Sequence, residues 1–217
     1  MKVFLIPGLG FDNRIFDKLN LDISAFQFLN WIEPKADELI RDYTIRFSDR
    51  INFDDEEIIL IGHSFGGMIA QEISALKPIT KIILISSVKS REEIPFHFRF
   101  LKPLHLHKLF SKELTVKTIK LWGASHGYQS KEIQNLVKDM VNSQTNNYLQ
   151  WALKQLSIWE KPQVNYNIEL FQIHGELDKT FPLKLIEEPD VVINQGTHFM
   201  VYNKSKEISK ILNAIIL

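Results

Sequence analysis

Gly62-His63-Ser64-Phe65-Gly66-Gly67 follows directly on the apolar run Ile58-Ile59-Leu60-Ile61, and together these ten residues constrain the fold more than any other stretch of the chain. The run reads as a buried strand, and Ser64 to Leu76 as the helix that leaves it. A serine at such a junction needs small neighbours, because the backbone passes from strand to helix only through a strained conformation. The strain lifts Oγ out of the sheet toward solvent. The N–H of Phe65, in the first turn of the helix, faces the same spot. One turn of chain therefore supplies a nucleophile and a donor for an oxyanion.

Strand and helix signals alternate on both sides of this junction. Val3 to Ile6 and Phe26 to Ile32 read as strands buried on two faces, closed by Pro7-Gly8-Leu9-Gly10 and by Glu33-Pro34. Asp12 to Leu19 predicts a short helix. Ala36 to Ile51 predicts a longer one with Leu39, Ile40, Tyr43 and Phe47 inward. Lys81 to Ile85 continues the alternation, which predicts a parallel sheet with right-handed crossovers, an α/β architecture. From Lys89 to Pro162 no convincing strand follows, only helical patterns such as Lys131 to Asn142 and Tyr148 to Trp159. Strand signals resume at Ile168 to Ile173 and Asp190 to Ile193, before an amphipathic helix from Lys204 to Ile216. The expected organisation is a core of residues 1–88 and 163–217 carrying an inserted helical cap of residues 89–162.

Composition narrows the function classes. The 217 residues hold 26 basic and 26 acidic side chains, so no global field favours nucleic acid or an anionic membrane. With no cysteine, disulfides, thiol nucleophiles and cysteine-ligated zinc are excluded, which fits a reducing compartment. Met1 to Ile6 breaks at Pro7-Gly8, short of a secretory leader, so the expected location is cytoplasmic. No apolar run reaches the ~18 residues of a membrane span.

A serine hydroxyl needs a base, and the base works best when a carboxylate fixes its tautomer. His174-Gly175-Glu176-Leu177-Asp178 and Gly196-Thr197-His198-Phe199 each follow a predicted strand. Parallel strands gather their carboxyl ends on one edge, which brings Ser64, Asp178 and His198 together there. Glu176 and Asp190 are rival acids.

The order serine, acid, histidine and the motifs that carry it resemble the α/β-hydrolase superfamily over nearly the whole chain outside the helical insert. Gly62 to Gly67 resembles its nucleophile elbow, His174 to Asp178 its acid loop, and Gly196 to Phe199 its histidine loop. Pro7-Gly8-Leu9-Gly10 is similar to its oxyanion loop, with Pro7-Gly8 where the family usually has His-Gly. The resemblance implies a doubly wound, mostly parallel sheet of about six strands, since the family's first two are missing before Val3. It also implies roles. Ser64 attacks, His198 shuttles the proton, Asp178 orients His198, and the N–H groups of Leu9 and Phe65 hold the oxyanion. The substrate expected is a small to medium carboxylic ester or related acyl compound, with no cofactor or metal. Thioesterases, C–C hydrolases, lyases and cofactor-free oxygenases share the fold, as do non-catalytic binding proteins.

The remaining histidines have other expected places. His63 fills the variable slot of the elbow, His174 buttresses the acid loop, and His97, His105, His107 and His126 fall in the insert, without a carboxylate cluster to make a metal site. Residues 91–120 carry seven Lys or Arg against three Glu, the pattern of a solvated basic face that includes Arg99 and Lys102. Phe96, Phe98, Phe100, Leu104 and Trp122 are expected to roof the site and favour an uncharged, apolar group.

Overall fold

In a computed structural model of the protein, residues 1–23, 26–53, 57–164 and 167–216 are described. Six strands form one sheet: β1 (Lys2–Ile6), β2 (Phe26–Phe28), β3 (Ile58–His63), β4 (Lys81–Ile85), β5 (Glu169–Gly175) and β6 (Val191–Ile193), in the order β2-β1-β3-β4-β5-β6. Every pairing is parallel. Along the central strand β3 all six residues are buried, as a strand covered on both faces requires.

The chain steps from β1 to β2 in one direction and from β2 across β1 to β3 in the other. Right-handed crossovers then put α1 (Ile40–Ser48) and α2 (Phe65–Ser74) together on one face, where the two helices touch. The short 3-10 turn Asn13–Phe16 takes the opposite face and meets α7 (Met200–Asn203), which runs into α8 (Ser205–Ile216). Buried Ile208, Leu212 and Ile216 of α8 close that side of the core. The reversal also creates a crevice between the carboxyl ends of β1 and β3, where sheets of this kind bind ligands.

Between β4 and β5 the described chain is helical: α3 (Phe96–Arg99), a 3-10 turn at Leu106–Leu109, α4 (Lys112–Trp122), another at Gly123–His126, α5 (Lys131–Asn142) and α6 (Asn146–Ile158). The amino ends of α4, α5 and α6 are capped by Ser111, Ser130 and Thr145, each accepting an N–H three residues on. Helix α6 anchors this segment. Its Trp151 donates to Glu38 O at 2.7 Å and packs on Tyr43 at 4.2 Å, its Tyr148 stacks on Trp31 at 5.3 Å, and just beyond it Trp159 donates to Glu72 Oε1 at 2.9 Å.

Several boundaries differ from the sequence expectation. The run Phe26 to Ile32 yields only three strand residues, because β2 is an edge strand paired with β1 alone, and Phe26 is exposed rather than buried on two faces. Asp12 to Leu19 contracts to one 3-10 turn. Leu39 precedes α1 in extended conformation and faces solvent, so the inward stripe is Tyr43, Thr44 and Phe47. In the helical segment, Phe96, Phe100 and Leu104 are exposed at 70%, 40% and 60%, and so cannot roof a site. Phe98 and Trp122 are half-buried.

Candidate active site

Ser64 stands between β3 and α2 at φ 52 and ψ −123, a left-handed backbone that costs a non-glycine residue about 1–3 kcal/mol. The surroundings hold it there. Ser64 N donates to Ile85 O at 3.0 Å, while its carbonyl accepts from Gly67 N at 2.9 Å and from Ser87 Oγ at 2.6 Å. The flanking glycines are steric necessities. A Cβ on Gly62 would lie 2.4 Å from Gly67 Cα, and one on Gly66 only 2.3 Å from Ile6 O. The absent side chains let the start of α2 press against the end of β1.

The loop after β1 lies against the elbow: a Cβ on Gly8 would come within 3.0 Å of Ser64 Cβ. Its carbonyls are tied back by Trp31, whose indole N–H is shared between Gly8 O at 3.2 Å and Phe11 O at 3.1 Å. Phe11 N donates to Gly8 O at 3.0 Å. The backbone N–H groups of Leu9 and Phe65, by contrast, have no hydrogen-bond partner among the described residues. Free backbone donors are what an oxyanion requires.

Across the crevice, His198 Nε2 lies 2.9 Å from Ser64 Oγ, and His198 Nδ1 lies 2.8 Å from Asp178 Oδ2. The other carboxylate oxygen accepts from Thr180 N at 2.8 Å and Phe181 N at 2.9 Å. Burial opposes the ionisation of Asp178. The adjoining His198, the nearby His174 and the Phe181 N–H outweigh it and hold the carboxyl below its usual range. An ionised Asp178 accepts a hydrogen bond from Nδ1–H, which fixes the tautomer and leaves Nε2 as the acceptor of the serine proton. The rival acids are engaged elsewhere: Glu176 accepts from Gln195 N at 2.9 Å and Asp190 from Gln172 N at 2.7 Å.

Three supporting residues escape the sequence patterns. His63 donates from Nε2 to His198 O at 2.9 Å and so pins the histidine loop to the strand that carries the serine. Burial, then the nearness of His198, pushes its pKa down to about 3, so it stays neutral. Ser87 and Trp31 are the others. Ser87 was signalled only by its position after β4, on the same edge as Ser64, and nothing local marks Trp31. His174 fills its expected place, donating to Phe181 O at 2.7 Å.

An apolar cavity of about 90 Å³ adjoins the loop after β1, lined by Leu9, Gly10 and Phe11 on one side and by Trp122, Tyr128 and Val141, among others, on the other. Larger hollows of about 310 and 530 Å³ lie against Lys161 and Pro162, where Ile82 and Ile168 mark the amino ends of β4 and β5, remote from Ser64. Among the described residues no three His, Cys, Asp or Glu side chains gather as a metal site.

A parallel sheet with its crevice at a strand-to-helix serine is the framework of the α/β-hydrolase fold. The alpha/beta hydrolase family model matches residues 3–203, and the chain belongs to that family. Solved structures agree in fold. A thermophilic esterase superposes at TM-score 0.69 and 19% identity, covering 99% of this chain and 88% of its own. An esterase from Exiguobacterium antarcticum gives 0.73 at 13% identity, covering 100% and 91%. A meta-cleavage product hydrolase from Pseudomonas fluorescens gives 0.68 at 14%, covering 100% and 90%. No curated protein matches at the sequence level.

Proposed function

We propose that the protein is a serine hydrolase of short-chain carboxylic esters. The observation that carries this reading is the unbroken relay Ser64 Oγ, His198 Nε2, His198 Nδ1, Asp178 Oδ2, with links of 2.9 and 2.8 Å. Ser64 Oγ attacks the ester carbonyl as His198 Nε2 takes its proton, and Asp178 stabilises the imidazolium. The carbonyl oxygen becomes an oxyanion held by the N–H groups of Leu9 and Phe65. Collapse expels the alcohol, which takes the proton back from His198. Water then repeats the sequence on the acyl-serine and releases the acid.

In this reading residues 89–162 are a cap on the core of residues 1–88 and 163–217, and the apolar cavity between them receives the acyl chain. The alcohol has to leave past His198, which protonates it. The cavity borders Leu9 and not His198, so it serves the acyl side. A cavity of about 150 Å³ accommodates benzene, so about 90 Å³ accommodates three or four carbons beyond the carbonyl.

A fluorophosphonate probe tests the assignment directly. Labelling at Ser64, abolished in Ser64→Ala and His198→Ala, is the expected result. A correctly folded His198→Ala variant with full ester turnover would overturn it. Hydrolysis of carbon–carbon bonds in a ketonic panel, without p-nitrophenyl ester turnover, would move the protein to the C–C hydrolases. Thioester-only turnover would move it to the thioesterases.

A further inference from the structure

Seven of the thirteen large apolar side chains exposed among the described residues belong to one stretch of the chain. Phe96, Phe100, Leu104, Leu106, Leu109, Leu114 and Leu121 are all exposed, Leu121 at 86%, and all fall within residues 96–121. Six of them come in local pairs. Phe96 and Phe100 touch edge to face at 4.6 Å. Leu106 and Leu109 are three apart in a 3-10 turn, where such positions eclipse. Leu114 and Leu121 lie two turns apart on α4 with Lys117 between them, opposite the buried Thr115 and Ile119.

Charge follows the same segment. Residues 96–121 hold Arg99, Lys102, Lys108, Lys112, Lys117 and Lys120 against Glu113 alone, a net of +5 in a chain that sums to zero. None of the six cations forms an ion pair among the described residues. Arg99 donates to the carbonyls of Ile94, Arg91 and Glu92. Glu113 is exposed and accepts from Asn146 Nδ2 at 3.0 Å.

We propose that the exposed apolar and basic side chains of residues 96–121 dock on an anionic lipid bilayer. Leucine and phenylalanine tips interleaved with lysines suit the headgroup boundary, where apolar ends enter the acyl layer and ammonium groups stay among phosphates. A second copy of the chain is the poorer occupant, because two such faces bring ten like charges together. Nucleic acid offers no apolar phase for the leucines. The inference does not depend on the hydrolytic reading.

Sedimentation with vesicles tests it on the whole protein, in wild type and equally in Ser64→Ala. Binding to phosphatidylcholine vesicles containing about a third phosphatidylglycerol should exceed binding to pure phosphatidylcholine at least tenfold, and should weaken in high salt. Lys117→Glu with Lys120→Glu should erase that preference. Leu109→Ser, Leu114→Ser and Leu121→Ser together should reduce vesicle binding about tenfold while turnover of a soluble ester is unchanged. No sedimentation of the wild type overturns the proposal, as does sedimentation unaltered in either variant set. Self-association at the same concentration, removed by the leucine substitutions, would assign the face to a second copy instead.

Discussion

At the scale of single residues, the site depends on one carboxylate doing two jobs. Asp178 Oδ1 is saturated by the Thr180 and Phe181 N–H groups, which leaves Oδ2 free to hold His198. Asp178→Asn presents an amide there and favours the wrong imidazole tautomer, so kcat should fall about 10⁴-fold with little change in KM. Glu176→Gln, which disturbs only the bond to Gln195 N, is expected to keep most of the activity. Steady-state kinetics on one p-nitrophenyl ester compares the two. That Ser64, Asp178 and His198 meet at one sheet edge was legible in the sequence, because each sits in a short motif whose position after a strand can be read locally. His63 and Trp31 were not. Their partners, His198 O and the carbonyls of Gly8 and Phe11, lie 135, 23 and 20 residues away, and no local pattern encodes such pairs.

Among the elements, the junction of β1, β3 and α2 leaves no room for a side chain at its glycines. Gly66→Ala would drive a methyl to 2.3 Å from Ile6 O, a backbone atom that cannot swing aside. Urea unfolding should show a loss of about 3 kcal/mol or more. The wall of the proposed acyl cavity yields a different prediction. Each methylene added to the acyl chain should raise kcat/KM about fourfold until three or four carbons fill the space, after which it should fall. Val141→Ala should move that ceiling up by about one carbon without raising the rate on acetate, as an acyl-length series would record. The strands were legible where apolar runs are buried on both faces, as in β3 and β4. They were overextended at β2, where the run continues past its single neighbour. Phe96, Phe100 and Leu104 were misassigned to a roof because elements of one turn show no periodicity that could tell inside from outside. Helix α4 went unassigned, although Ser111 ahead of it is the same capping signal found before α5.

For the whole molecule, buried histidines set the response to acid. Burial holds His63 down at about 3, and also lowers His174 and His126. Below about pH 6.5 the unfolded chain therefore binds protons that the folded chain refuses, and stability falls as pH falls. For His63 that loss continues down to about pH 3. Asp178 acts in the same direction lower down. Its depressed folded value contributes stability above the ordinary carboxylate range, and that contribution disappears as pH drops through it. Urea midpoints should decline steadily from pH 7 to pH 4. His63→Gln, which keeps a donor toward His198 O but cannot titrate, should flatten the slope by about 1.4 kcal/mol per pH unit.

The bond from His198 to Ser64 spans 134 residues. During synthesis Ser64 emerges long before His198, and in the proposed reading its hydroxyl stays inert until then. In refolding, recovery of fluorophosphonate reactivity becomes a clock for the last long-range closure. It should trail the return of helical signal, and the interval between them is the time the sheet takes to bring β6 home.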